Sequence, residues 1–227
     1  MVTRSCKHCG DTFSYTPRLI GEREVLPQRV CTPCILRSQG EELAEREARL
    51  QRQRAAEWAA ICPPLYRETD LARLPGTFRS AIDSWVYSPR GLGLVGPAGK
   101  GKTRAAFALL CRMYQGGIVC EAISATRFGH LSAEQFSDNK DHRARAASRL
   151  TSLQHTGLLL IDDLGKCKMT ERCEVEFFDL LEHRTSHHLP TLWTANARGD
   201  QLLALMSADR GEPILRRLAE FSEVVSV

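Results

Sequence analysis

The sequence predicts an α/β protein with a parallel sheet, because three short apolar runs each end in glycine or polar residues. The runs lie at 91–95, 158–161 and 190–195. Continuous apolar runs of this length are typical of strands that a parallel sheet buries on both faces. An Ala- and Leu-rich stretch over 104–114 follows the first run and predicts a helix. Because open α/β sheets bind ligands at the carboxyl ends of their strands, the residues after each run form the candidate site.

The eight residues after the first run fit the phosphate-binding pattern G-x-x-x-x-G-K-[ST]. Residues 96–103 read Gly-Pro-Ala-Gly-Lys-Gly-Lys-Thr. The glycines let backbone N–H groups turn inward around phosphates, Lys102 supplies positive charge, and the Thr103 hydroxyl can bind Mg²⁺. The alternative is a chance glycine-rich turn, which would not explain a strand before the loop and a helix after it. The residues expected to bind nucleotide here are Gly96, Pro97, Ala98, Gly99, Lys100, Gly101, Lys102, Thr103 and Arg104.

Two carboxylates, Asp162 and Asp163, end the second run. Near a phosphate loop, Asp162 would hold Mg²⁺ directly or through water, and Asp163 would orient and polarise the attacking water. The alternative is a strand that ends in a solvated pair of aspartates. The complete phosphate loop upstream favours the catalytic interpretation.

The third run ends in Asn196, and a helical stretch near the end of the chain carries Arg216 and Arg217. An amide beside the acidic strand can hold the attacking water, although Asn is also common in caps and turns. An arginine presented to a neighbour's γ-phosphate neutralises charge in the transition state. The alternative for the arginines is a solvated basic face or a structural ion pair.

Together these segments resemble the AAA+ ATPases of the DnaC-type helicase loaders and the IstB-type transposition helpers. The resemblance covers residues 61–227, and it rests on the phosphate loop, Leu-Leu-Leu-Ile-Asp-Asp-Leu-Gly, Pro-Thr-Leu-Trp-Thr-Ala-Asn, Ile-Leu-Arg-Arg-Leu and Cys-Pro-Pro-Leu-Tyr-Arg at 62–67. It implies an αβα sandwich with a five-stranded parallel sheet and no helical lid after the last strand, 223–227.

The resemblance also implies ATP with Mg²⁺ as the ligand and assigns residue roles. Asn196 would be the first sensor, Tyr66 would line the adenine pocket, and Arg217 would reach the nucleotide of a neighbouring subunit. This last role implies self-association. Arg216 stands where these proteins often have an acidic residue, so the choice between Arg216 and Arg217 stays open.

The composition is that of a soluble globular protein. The chain has 227 residues, of which 43% are hydrophobic and 26% are charged, and its formal net charge is +4. No apolar run approaches the 18 residues of a membrane span, and residues 1–6 lack the apolar stretch of a signal peptide. We therefore expect a cytoplasmic protein with no membrane partner. The positive charge is compatible with nucleic acid but is a weak signal.

Four of the nine cysteines form two C-x-x-C pairs. Cys6 and Cys9 are separated from Cys31 and Cys34 by a spacing close to that of a four-cysteine Zn²⁺ site. A disulfide framework is disfavoured because the chain otherwise resembles a cytosolic ATPase. A redox role is also disfavoured, because a redox C-x-x-C motif needs one pair near a βαβ unit, and this chain has two pairs ahead of one. We interpret the remaining cysteines, Cys62, Cys111, Cys120, Cys167 and Cys173, as core or incidental thiols.

These signals divide the chain into three predicted segments. Residues 1–38 form a zinc-ribbon-like module, 39–61 a charged helical linker, and 62–227 the ATPase domain. The linker consists mostly of strong helix formers with nearly balanced charge, which favours a solvent-exposed spacer. A docking helix for a partner is the alternative.

Several basic residues and two aromatic residues are candidates for contact with DNA. The basic candidates are Lys140, His142, Arg143, Arg145 and Arg149, and Lys166 and Lys168 after the acidic pair; the aromatic ones are Phe128 and Phe136. A solvated helix face is the alternative for the 140–149 cluster. The expected function is an ATPase that assembles with single-stranded DNA, a replicative helicase or both, and loads the helicase onto DNA in replication. The alternatives are an ATPase that assists a transposase, a phosphotransferase on small molecules, and a non-catalytic zinc adaptor that binds ATP structurally.

Overall fold

The computed structural model describes residues 1–166, 169–196, 199–207 and 209–227. The chain forms two compact units, residues 1–57 and 58–227. Within the described ranges, no helix is both long and apolar enough to cross a membrane.

The first unit contains two small antiparallel hairpins followed by a long helix. The strands are β1 (Val2–Ser5) with β2 (Thr12–Tyr15), and β3 (Arg18–Ile20) with β4 (Arg23–Val25). An ion pair of 2.7 Å between Arg4 and Glu24 links the two hairpins. The helix α1 (Thr32–Ile61) begins inside the segment predicted for the cysteine module, and none of its residues is buried. Pro33 lies in its first turn, where a missing N–H group costs nothing.

The second unit is a five-stranded parallel sheet with helices on both faces, which confirms the predicted fold class. The strand order is β6-β7-β8-β5-β9. Its elements are α2 (Pro64–Arg67), α3 (Gly76–Ser84), β5 (Gly91–Val95), α4 (Lys102–Gln115), β6 (Cys120–Ser124), α5 (Ala125–Glu134), α6 (Lys140–His155), β7 (Leu158–Leu164), α7 (Glu171–Ser186), β8 (Thr191–Ala195), α8 (Gly199–Leu203), α9 (Gly211–Glu220) and β9 (Ser222–Ser226).

Successive residues of the strands enter two separate cores. On one face, Leu158 and Leu160 of β7 pack with side chains of α3 and α4. On the other face, Leu159 and Ile161 pack with side chains of α5, α6, α7 and α9. Burial on both faces explains why β5 and β7 begin as continuous apolar runs, whereas the edge strands β6 and β9 are only partly buried and carry polar residues.

A glycine and a tryptophan fix how β5 and β8 lie side by side. Gly93 is the register partner of Trp193, and a β-carbon at Gly93 would lie 2.3 Å from the indole ring. Only glycine therefore fits this position. The Trp193 Nε1 group donates a 3.1 Å hydrogen bond to Ser222 Oγ on β9. The phosphate loop leaves the sheet from β5, between β8 and β9.

A buried arginine connects α7 to the amino end of β8. Arg184 is fully buried. It donates hydrogen bonds to the carbonyls of Leu153, Thr156 and Pro190 at 2.9, 2.8 and 2.6 Å, and to Thr191 Oγ1 at 3.0 Å. Burial lowers its pKa to about 10. Because backbone carbonyls accept from every side of the guanidinium, we interpret Arg184 as a structural residue.

Candidate nucleotide site

The loop between β5 and α4 has the backbone conformation that a phosphate loop requires. Gly99 and Gly101 have φ angles of +79° and +81°, in the left-handed region that glycine adopts without strain. Gly101 precedes the first residue of α4, and no side chain caps this helix end. The N–H groups of the first turn are therefore available to an anion, which the helix dipole also attracts.

Lys102 lies folded into this loop. Its side chain is 5% exposed, and its Nζ group donates a 2.9 Å hydrogen bond to the Pro97 carbonyl. Burial lowers the pKa of Lys102. A phosphate oxygen would be a better acceptor than a neutral carbonyl, because it carries a negative charge.

Asp162 lies between two hydroxyl groups at the carboxyl edge of the sheet. Thr103 Oγ1 donates to Asp162 Oδ1 at 2.9 Å, and Thr194 Oγ1 donates to the same oxygen at 2.7 Å. Burial raises the pKa of Asp162, although both hydrogen bonds oppose that shift. A carboxylate and a hydroxyl are hard oxygen ligands of the kind Mg²⁺ prefers, so Thr103 and Asp162 fit a magnesium ion. Thr194 did not stand out in the sequence, because a threonine in an apolar strand carries no signal of its own.

Asp163 has an unusual backbone conformation and a lysine partner. Its φ angle is +60°, and its N–H group donates a 2.9 Å hydrogen bond to Thr194 Oγ1. Lys166 Nζ forms a 2.9 Å ion pair with Asp163 Oδ2, and this bond raises the pKa of Lys166. Thr194 therefore positions both aspartates. Lys166, which we expected to contact DNA, contacts the predicted catalytic carboxylate in this structure, and Lys168 lies outside the described residues.

Asn196 follows β8 and is exposed. It borders a cavity of about 590 Å³ together with Gly96 and Pro97 of the phosphate loop. The structure thus brings the predicted first sensor beside the start of the loop, across the neighbouring strands β8 and β5.

Tyr66 belongs to α2, and its side chain packs against α4. Its ring stacks on Phe107 at 5.1 Å, and the Arg104 guanidinium carbon lies 5.8 Å from its centroid. Tyr66 borders a cavity of about 740 Å³ that reaches Asp162. The cavity over the loop, of about 730 Å³, is separate. Its lining residues are Glu68, Asp70, Arg73, Leu74, Pro75, Gly99, Lys100, Gly101 and Arg104.

The two arginines of α9 have different surroundings. Arg217 forms an ion pair with Glu182 of α7 and lies over the ring of Phe178, whereas Arg216 is exposed.

The aromatic candidates for DNA contact also differ. Phe128 is fully buried in the core, so our expectation that it could stack on a base is wrong. The helical period of α5 turns this residue inward beside Leu131. Phe136 is 54% exposed, and the Arg172 guanidinium carbon lies 3.7 Å from its ring centroid.

On α6 the five predicted basic residues are all exposed.

The four cysteines of the two predicted pairs converge in the first unit. The sulfur atoms of Cys6, Cys9, Cys31 and Cys34 all lie within 4.8 Å of one another. The Cys9 and Cys31 sulfurs are 3.7 Å apart, close to the edge of about 3.8 Å expected for a tetrahedron with Zn–S bonds of about 2.3 Å. The Cys31 N–H group donates to Cys6 Sγ at 3.3 Å and is the main cause of a Cys6 pKa of about 6. The spacing of the four sulfur atoms therefore fits a metal ion held by four cysteines.

Two of the remaining cysteines are buried, unreactive thiols. Burial raises the pKa of Cys62 to about 11 and that of Cys120 to about 12. Thiols of this kind are poor nucleophiles, because the thiolate is the reactive form.

The strand order, the phosphate loop and the two aspartates near the end of β7 together define a P-loop ATP-binding fold of the AAA+ type. Residues 72–227 match the family model of IstB-like ATP binding proteins, and the chain belongs to this family. Comparison with curated protein sequences gives no match.

Solved structures share the fold at low sequence identity. The DnaC helicase loader matches with a TM-score of 0.54 and 22% identity, over 66% of this chain and 86% of that chain. DnaI matches with a TM-score of 0.56 and 17% identity, over 75% and 93%. The replication initiator DnaA bound to AMPPCP and single-stranded DNA matches with a TM-score of 0.52 and 18% identity, over 66% of this chain but 44% of that longer one.

Proposed function

We propose that this protein is an ATPase that hydrolyses ATP when its subunits assemble. The observation that supports this most is the hydrogen-bonded group of Thr103, Asp162 and Thr194 next to the phosphate loop. A site that only gripped a triphosphate would need the loop and Lys102. Two carboxylates held at the end of β7 are what hydrolysis requires in addition.

The proposed mechanism divides the work among these residues. Residues 96–103 bind the phosphates through N–H groups, and Lys102 exchanges the Pro97 carbonyl for phosphate oxygen. Thr103 and Asp162 would hold Mg²⁺, which would neutralise charge on the transferring phosphoryl group. Asp163 accepts a hydrogen bond from the attacking water and orients it, and Asn196 holds the same water from β8. Arg217 of a neighbouring subunit completes the site.

We further propose that single-stranded DNA and a replicative helicase are the partners. DnaC is a helicase loader, and the DnaA structure contains single-stranded DNA. In this chain, Phe136 with Arg172 beneath it offers a surface on which a base can stack, because an exposed ring fixed by a cation loses little freedom on binding. The exposed basic residues of α6 would contact phosphates.

The cysteine cluster would bind one Zn²⁺ ion and stabilise the small first unit. Its hairpins bury few apolar side chains, so a metal would supply much of the folding free energy. We propose residues 1–38 as this module, 39–61 as a linker and 62–227 as the ATPase domain.

The alternative partner protein and the alternative protein classes would each give a different experimental result. An ATPase that assists a transposase would copurify with transposase rather than helicase. A zinc adaptor that uses ATP structurally would bind ATP without releasing phosphate. A phosphotransferase would give phosphate to an added acceptor in preference to water.

The first experiment measures phosphate release by the full chain with ATP and Mg²⁺, with and without single-stranded DNA, at several subunit concentrations. We expect turnover that rises with concentration and DNA. Lys102→Ala should lose binding of a fluorescent ATP analogue. Binding of ATP without any phosphate release under all these conditions would contradict the ATPase and favour the adaptor.

A further inference from the structure

Two side chains of α7 hold Arg217 in the isolated subunit. The guanidinium forms an ion pair with the Glu182 carboxylate, and its carbon lies 5.1 Å from the centroid of the Phe178 ring. Glu182 and Phe178 are four residues apart on α7 and therefore share one face of the helix. We name Glu182 and Phe178 the α7 cradle.

The α7 cradle satisfies the guanidinium incompletely. Glu182 contacts Nη2, while the Nε group of Arg217 is buried without a hydrogen-bond partner in the described part of the chain. A guanidinium offers five N–H donors in a planar fork, which suits an acceptor with several oxygens. A buried donor without an acceptor is unfavourable. Phosphate oxygens would satisfy more of these donors than Glu182 does.

The same contacts can be given up at low cost. The Arg217 side chain is 24% exposed and that of Glu182 is 46% exposed. The contacting oxygen of Glu182 is itself buried, but both side chains lie at the surface, so water can hydrate them once they separate. Arg184, two residues after Glu182, shows the contrast. It is fully buried, and its acceptors are four backbone carbonyls and one hydroxyl. Arg184 of α7 is therefore a structural residue, whereas the contact of Glu182 with Arg217 of α9 can be exchanged for another.

We propose that Glu182 is a positioning residue that holds Arg217 in the unassembled subunit and releases it to the nucleotide of a neighbouring subunit. The inference rests on the proposed ATPase function. The step exchanges one ion pair for another and involves no covalent change. Each subunit that assembles must first break the contact to Glu182, so this contact opposes assembly-dependent turnover.

The test measures ATPase rate against subunit concentration for the full chain and its variants. Glu182→Gln keeps the shape of the side chain and removes its charge. We expect the concentration at half-maximal rate to fall roughly two- to fivefold, the range that a half-exposed ion pair can supply. Glu176→Gln removes the same charge from the same helix and should follow the wild type. Arg217→Ala should lose the rise with concentration.

A mixing experiment separates this inference from the proposed function. Arg217→Ala subunits have an intact phosphate loop, and Lys102→Ala subunits have an intact arginine, so a mixture of the two should regain turnover. If Glu182→Gln lowers the melting temperature but leaves the half-maximal concentration unchanged or raised, the pair is structural and the inference is overturned. It is also overturned if Arg217→Ala retains the wild-type concentration dependence. A wild type with no turnover at any concentration contradicts the proposed function itself.

Discussion

The hydroxyl of Thr103 donates a 2.9 Å hydrogen bond to Asp162, 59 positions later in the chain. This contact connects the first turn of α4 to the end of β7 and places the two expected Mg²⁺ ligands side by side. Thr194 Oγ1 donates to the same Asp162 oxygen from β8. Hydrogen bonds to a charged group hold it more firmly than neutral ones, so these two hydroxyl groups fix the position of Asp162.

Thr194→Val should reduce both stability and turnover. Valine keeps the shape but removes the hydroxyl that bonds Asp162 and accepts from the Asp163 N–H group. We expect a loss of about 1–3 kcal/mol in the free energy of unfolding, since a buried charge loses a partner. The rate of phosphate release at saturating ATP should fall more than ATP affinity does. Urea unfolding and steady-state kinetics measure the two effects, and an unchanged rate would contradict the role of Thr194.

Arg184→Met should destabilise the second unit by about 3–5 kcal/mol, because it leaves several buried carbonyls without a donor. Arg143→Met is the matched control, since Arg143 is exposed on α6. Its free energy of unfolding in urea should stay within about 0.5 kcal/mol of wild type. Equal losses in the two variants would show that Arg184 is not the structural connection we describe.

Stability should fall as the pH drops below about 6.5, the ordinary pKa of histidine. Burial, then His187, His155 and Arg184, lower the pKa of His183. Between its folded pKa and about 6.5 the unfolded chain binds the proton and the folded chain does not, so stability rises with pH in that window and is constant above it. His183→Gln should reduce this dependence in melting curves from pH 5 to 8, whereas His142→Gln on the surface of α6 should not. A wild-type slope in His183→Gln would contradict the assignment.

Removal of zinc should unfold the cysteine module and leave the ATP site intact. Cys6→Ser or a strong chelator removes a thiolate ligand or the ion itself, and the hairpins have little other support. We expect one equivalent of zinc in the purified chain, and loss of protection from amide exchange in residues 1–31 after chelation. Binding of the fluorescent ATP analogue should persist. A chelated module that keeps its protection would refute the zinc site.

The strands β5, β7 and β8 and the acidic end of β7 could be predicted from the sequence, because burial on both faces makes these strands largely apolar. The strand β6 could not, because it is only partly buried and its sequence, Cys-Glu-Ala-Ile-Ser, is mixed. The glycines and Lys102 were readable because the loop has a fixed spacing. The contacts of Thr194, Arg184 and Glu182 were not, since each depends on which strand or helix lies opposite. Phe128 and Phe136 look alike in sequence. Phe128 lies on the buried face of α5, whereas Phe136 lies after the end of that helix and is exposed.

The most direct measurement compares phosphate release and ATP binding in the wild type and in Asp163→Asn, at subunit concentrations where the wild-type rate is maximal. Asparagine keeps the shape of the side chain and removes the charge that polarises water. We predict that Asp163→Asn binds the fluorescent ATP analogue with near wild-type affinity and releases phosphate at least about 100-fold more slowly. Equal rates of phosphate release in the two proteins would contradict it.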